Sequence, residues 1–280
     1  MRATRYILAA LLFSLLLAAP AAARQHDNAP RDQHPWGQFK IGSWKRVRTL
    51  TETLDDKGAV QSSSTTETTT KLVDVDSEGY TLRIDVVVEV AGKRFTAQPQ
   101  VIRRGFHGEG DGQNVSIKRV GEAGLDINGH KVACEVRQIT VDGDSGKRII
   151  TVHYSDRLAP YVLRRETTAL DSDGKPTDMQ SQVDVVAIDM PHKVLAEVKP
   201  TSHLRVMHQQ GKASTLTLEV HCAEIPGAVV SHTSKETDDA GRVIRRSTLE
   251  LLDYGLGTGD DAEAQMVRKA FHRVRNRRAR

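Results

Sequence analysis

A serine framed as Gly143-Asp144-Ser145-Gly146 has the outline of a hydrolase nucleophile loop. A nucleophilic serine also needs a further Gly, usually a Pro, and a His and an Asp placed to activate its hydroxyl. Lys147 follows instead, and no upstream histidine stands in a matching context. The segment lies between two strand-like runs, Glu135–Val141 and Arg148–Tyr154, so Asp142-Gly143 reads as a hairpin turn. The eleven histidines lack metal-ligand spacing: no HExxH run occurs, and no pair shares a face with a third ligand nearby. His130, His192, His153 and His221 recur only because the surrounding sequence does. The carboxylate pairs Asp55/Asp56, Asp171/Asp173, Asp238/Asp239 and Asp260/Asp261 stand in turns or at a helix start, where Asp bonds the nearby backbone. No phosphate-cradling or dinucleotide loop occurs. The sequence therefore assigns no catalytic residue, metal site or cofactor, and the expected class is non-enzymatic.

The elements around these residues are those of an exported β protein. Arg2 and Arg5, the apolar run Ile7–Ala19 and the small residues Ala21-Ala22-Ala23 form a signal peptide over 1–23. With no cysteine following it, the expected mature chain is soluble, periplasmic or extracellular, and not lipid-anchored. Residues 24–42 read as a disordered leader ending near Trp36 and Trp44, tryptophans suited to packing the lip of a sheet or to forming a ring platform. With 38% apolar and 4% aromatic residues, the core must be thin layers of Val, Ile and Leu, which favours sheets with one wet face.

Residues 43–129 predict an N-terminal β-meander with a Gly-rich excursion over 103–129. Its clearest strand alternates Tyr80, Leu82, Ile84, Val86, Val88 and Val90 with polar residues. Residues 130–255 predict a duplicated meander, 130–189 and 192–254, because His130-Lys131-Val132 returns sixty-two positions later as His192-Lys193-Val194. An Asp-rich turn recurs at 55–58, 171–174 and 238–241. Cys134 and Cys222 form an even pair in an oxidising compartment, and they read equally well as a disulfide or as two buried small hydrophobes.

Residues 256–280 predict a linker and a basic C-terminal α-helix from Ala262 to about Val274. The net charge of +4 is uneven: the signal holds two positive charges and residues 261–280 a net five, which leaves residues 24–260 at −3. A basic tail on an acidic body argues against nucleic acid as a partner. It suits contact of Arg268, Lys269, Arg273, Arg275, Arg277 and Arg278 with an anionic envelope polymer or lipid headgroups.

The stretch Ile225-Pro226-Gly227-Ala228-Val229-Val230, after an alternating strand and before a Thr/Lys/Glu strand, resembles the exported β half-barrels of the lipoprotein-carrier superfamily (LolA/LolB-like). The resemblance covers about residues 120–255, and the first copy departs from it with Ala159-Pro160-Tyr161. It implies long curved antiparallel strands around an apolar concave face that holds a lipid or lipoprotein acyl chain. The fold expected from all of this is mainly β: a large curved antiparallel meander of about ten strands, half-barrel-like or a sandwich, with the C-terminal helix. The expected function is binding of an apolar or amphiphilic envelope ligand, with Tyr80, Leu82, Ile84, Val86, Val88 and Val90 lining the cavity. The alternative is a structural or interaction module held to anionic surfaces by its basic tail.

Overall fold

A computed structural model describes residues 31–110, 113–143 and 146–259. Fourteen strands run in chain order as β1 (Trp44–Leu54), β2 (Val60–Val75), β3 (Gly79–Val90), β4 (Lys93–Thr96), β5 (Gln100–Gly105), β6 (Asn114–Ile127) and β7 (His130–Gly143). They continue as β8 (Gly146–Tyr154), β9 (Val162–Leu170), β10 (Pro176–Val194), β11 (Glu197–Gln210), β12 (Ala213–His221), β13 (Val229–Thr237) and β14 (Val243–Gly255). All belong to one antiparallel sheet, ordered β4-β3-β2-β1-β14-β13-β12-β11-β10-β9-β8-β7-β6. β5 shares the outer edge of β3 with β4, pairing along Gly79–Ile84 while β4 pairs along Val87–Val90.

This corrects the expected fold class in two respects. The strands number fourteen and not about ten, and of the two expected arrangements they form the single sheet. No α-helix occurs among the described residues, whose only helical turn is a 3-10 turn at Arg31–Gln33. The expected C-terminal helix falls on residues outside those described. Part of the difference lies in the Gly-rich stretch 103–129, where β6 runs the full length from Asn114 to Ile127. Gly121 follows a register shift after Arg119, and a Cβ on Gly121 or Gly124 would meet nothing within 4 Å. Glycine is tolerated there because an edge strand can bulge into open space.

The recurring turns show the internal frame. Ser155 N donates to Tyr161 O (2.8 Å) and Tyr161 N to Leu158 O (2.7 Å); Cys222 N donates to Ala228 O (2.9 Å) and Ala228 N to Ile225 O (2.8 Å). Tyr161 and Ala228 both take positive φ, 66° and 58°. Asp171 Oδ1 accepts from the N–H of Asp173 and Lys175, Asp238 Oδ1 from Ala240 and Arg242, and Asp55 Oδ1 from Lys57 and Ala59. Ser155 and Cys222, like Asp171 and Asp238, stand sixty-seven positions apart. The sixty-two-residue match pairs unlike places: His130 follows the β6–β7 turn, whereas His192 precedes the β10–β11 turn.

The sheet has to curl. Laid flat, the path from β5 through β3 to β6 would span roughly 58 Å at about 4.8 Å per strand. Yet only residues 106–113 join the end of β5 to the start of β6, a reach of about 32 Å at most. Register shifts at Arg46/Val47, Leu72/Asp74, Arg119/Gly121 and Val185–Met190 supply local bends. Two long hairpins use them to lay their tips on the concave face. Ile127 and Cys134 of β6–β7 pack on Leu163, Val185 and Leu204. Val194 at the end of β10 packs with Cys222, Ile225 and Val230.

Candidate functional site

The concave face is closed at one end by the chain's own N-terminal segment. Trp36, buried, joins Leu72, Val75, Leu82 and Phe106 in one core cluster, with Phe39, Ile41, Tyr80, Ile84 and Ile102 packed against it. The same tryptophan ring lies where a Cβ on Gly227 would sit, 2.7–2.8 Å from its ring atoms, and Gly227 N donates to Pro35 O (2.8 Å). Gln38 Nε2 donates to Ala223 O at 3.0 Å, and Tyr154 donates its hydroxyl to Gln33. Residues 33–41 thus tie β2 and β3 to the β12–β13 connection and to β8. Trp36 is a packing residue, which settles its role in favour of the lip over an exposed ring platform.

His34 fastens this cap. Its Nδ1 accepts from the backbone N–H of Trp36 (3.1 Å) and Gly37 (3.2 Å), and its ring lies 4.7 Å from Tyr80 and 5.2 Å from Phe106. Burial, and secondarily the neighbouring charge of His107, hold its pKa down to about 4. An imidazole accepting two N–H groups must be neutral at that nitrogen.

The six alternating β3 residues are divided by this cap. Tyr80, Leu82 and Ile84 are packed beneath it, while Val86, Val88 and Val90 are half-buried beyond it. Strand register shows what faces these valines around the sheet. From Val90 the row runs through Ser64, Thr51, Ser247, Ser234 and Thr217, then Val206, Val183 and Arg165. From Val88 it runs through Thr66, Thr49, Leu249, His232 and Glu219 to Leu204. The uncapped concave face is therefore a belt of hydroxyls with valines on one wall and charged groups opposite. A surface of that composition suits an amphiphile better than a wholly apolar ligand.

The charged groups fall into two sets. Near the cap, Lys45 Nζ donates to Gly227 O (3.2 Å) and Val229 O (3.0 Å), and burial lowers its pKa to about 8 against the opposing pull of Glu219. Burial acts to raise Glu219, but the His221 hydrogen bond at 2.7 Å and the charges of His221, His232 and Lys45 outweigh it and hold the carboxyl low. The second set surrounds Arg165 of β9, whose charge is felt by Tyr80, His107, Arg148 and His208. β3 and β9 lie eight strand spacings apart along the sheet, so an interaction between Tyr80 and Arg165 reports directly on the curl. Sequence reading overlooked Arg165, although a charge at the inward parity of a strand, between Leu163 and Thr167, is a signal in itself.

His153 and His221, which occupy similar places in the sequence repeat, lie on opposite faces of the sheet. His221 faces the concave side with Glu219, whereas His153 lies near Arg164, Glu166 and Asp184 on the outer face. Among the described residues, no group of three or more His, Cys, Asp or Glu could hold a metal ion. Asp144 and Ser145 lie outside the described residues; β7 and β8 pair up to Gly143 and Gly146 on either side.

Cys134 and Cys222 are both free and buried, each in its own core cluster. Of the two readings left open by the sequence, they take that of small hydrophobes. Burial raises both thiol pKa values, for Cys222 against lesser pulls from its neighbours. Native protein is therefore expected to show negligible reaction with a thiol reagent at pH 8, and two reacting thiols once unfolded. Fewer than two in the unfolded, unreduced protein would mean that the thiols had been oxidised or bridged.

Arg268, Lys269, Arg273, Arg275, Arg277 and Arg278, and the signal peptide, lie outside the described residues. Among the described residues no helix is long and apolar enough to cross a membrane. No family model matches the chain, and no curated protein matches it. Among solved structures, a protein described as a “putative lipoprotein” from Parabacteroides distasonis aligns over 82% of this chain and 100% of its own, at 9% identity and a TM-score of 0.30. MucB in complex with MucA(peri) aligns over 75% of this chain and 88% of its own, at 14% identity and a TM-score of 0.16. At such scores neither likeness carries an argument about this chain.

Proposed function

We propose that this chain is an exported, non-enzymatic binding protein whose concave face receives an amphiphilic ligand of the cell envelope. The observation that carries this reading is the division of that face. Its own core and cap cover Tyr80, Leu82 and Ile84, while Val86, Val88 and Val90 remain half-buried beside a row of hydroxyl side chains. An acyl chain laid on the valine wall would remove apolar surface from water at about 25 cal/mol per Å². The serine and threonine hydroxyls would stay hydrated or bond the polar part of the ligand.

The test uses mature protein from the envelope fraction, prepared without detergent and weighed by native mass spectrometry, then titrated with a fluorescent acyl probe. An added mass removable by organic solvent, and probe binding weakened about tenfold or more in the V86S/V88S/V90S variant, are the expected results. A tenfold change corresponds to about 1.4 kcal/mol, less than the apolar contact those side chains offer. A bare polypeptide mass with no saturable probe binding would overturn the reading. An unchanged melting temperature in the variant guards against a loss caused by unfolding.

A further inference from the structure

We propose that Arg165 of β9 is a seat for a carboxylate or phosphate anion on the concave face, and that it takes the headgroup of the bound amphiphile. This rests on the preceding reading for the acyl part of the ligand, but the seat is argued from Arg165 and its surroundings alone.

Register places Arg165 between Val152 of β8 and Val183 of β10, both on the concave side. Its guanidinium lies beneath the turn that follows β5, 3.9 Å from the position a Cβ on Gly108 would take. Several arginines elsewhere on the sheet are paired with carboxylates: Arg48 with Glu67, Arg164 and Arg205 with Asp184, Arg245 with Glu236. Arg165 makes no hydrogen bond or ion pair among the described residues. The carboxylate nearest in effect, Glu109, is committed elsewhere: its Oε2 accepts from His107 N at 2.6 Å, and its side chain packs over Gly105. Arg137, in the same cross-strand row, is spent on Glu135 at 2.6 Å and on the ring face of Tyr154. His107, His208 and Arg148 add further positive or protonatable groups around it.

A desolvated guanidinium without a partner is costly unless something else supplies the partner. Burial pulls Arg165 below its ordinary pKa, with Glu109 acting in the opposite direction. The planar fork of arginine matches the two oxygens of a carboxylate or phosphate, and the Arg148 charge beside it favours an anion. The valine wall at the far end of the same cross-strand row gives the attached chain a place to lie.

The experiment compares a long-chain fatty acid, the fatty alcohol of the same length and inorganic phosphate, each titrated calorimetrically into wild type, R165Q and R165K. The acid is expected to bind wild type at least tenfold tighter than the alcohol. R165Q should bring the acid to the level of the alcohol and leave the alcohol unchanged, while R165K should retain part of the preference. R165Q should melt no lower than wild type, because it removes an unpaired charge; marked destabilisation would mean that Arg165 is structural and would overturn the proposal. Equal binding of acid and alcohol, both indifferent to R165Q, would overturn the seat and leave the amphiphile reading standing. Phosphate binding lost in R165Q, with neither amphiphile bound, would keep the seat, assign it to a free anion and overturn the amphiphile reading. No binding of any of the three would overturn both.

Discussion

Trp36→Ala is expected to destabilise the protein by about 3–5 kcal/mol, the range for removing a large buried aromatic side chain. The size of the effect follows from what the indole joins. On one side it is part of the cluster built on Leu72, Val75, Leu82 and Phe106; on the other it covers Gly227 between β12 and β13. Loss of the ring therefore opens a cavity and frees the segment that closes the concave face. Gly227→Ala should reproduce most of the loss from the opposite side. Gly227 has φ +72°, and its added Cβ would lie 2.7 Å from the indole, so left-handed strain of roughly 1 kcal/mol adds to overpacking of about 1–3 kcal/mol. Gly58→Ala is the control, at φ +78° with nothing within 4 Å: it should show the conformational cost alone. Urea denaturation of the three variants checks this. Similar losses in Gly227→Ala and Gly58→Ala would show that the ring does not bear on Gly227 as described.

How much of this was legible in the sequence depends on whether the determining contact is local. The alternation from Tyr80 to Val90 gave β3 almost to the residue, because period-2 burial is written into adjacent positions. The three Asp-Gly turns were legible for the same reason: each Asp bonds N–H groups two and four residues on. The pairing of β1 with β14 was not, since some two hundred residues separate Trp44 from Gly255 and no local pattern encodes the meeting of chain ends. The match of His130–Val136 with His192–Val198, five of seven residues identical, pairs unlike places, whereas the turn geometry repeats at sixty-seven. The full length of β6 was hidden by its glycines, which an exposed edge permits.

For the candidate site, alternation identified the inward face of β3 but not what would cover it. Tyr80, Leu82 and Ile84 differ from Val86, Val88 and Val90 only in lying under Trp36 and Phe106, which reach them from segments read as a leader and an excursion. Arg165 was passed over inside the polar run Arg164-Arg165-Glu166-Thr167. The two arginines look alike in sequence but face opposite ways. Arg164 meets Asp184 on the outer face at 2.8 Å, and Arg165 meets no partner on the inner one among the described residues.

Acidification is expected to release the cap, with His34 as the group responsible. Its folded pKa of about 4 lies below the ordinary 6.5, so the unfolded chain takes up the proton first. The stabilisation is complete above pH 6.5 and is lost as pH falls from there towards 4, amounting to about 3 kcal/mol at 1.36 kcal/mol per unit. Geometry gives the cause, since a protonated Nδ1 can no longer accept the N–H groups of Trp36 and Gly37. Burial also lowers the pKa of His107, His153, His203, His208 and His232, so the wild-type slope contains several contributions of one sign. His34→Asn separates them, because its amide oxygen can accept the same N–H groups without titrating. The variant should be about 1 kcal/mol less stable at pH 7.5, from lost ring contact with Tyr80 and Phe106. Its denaturation midpoint should then fall less steeply than that of wild type between pH 6.5 and 4, so that the two curves cross. Parallel curves across that window would place the acid sensitivity in the other histidines and overturn the role of His34 in releasing the cap.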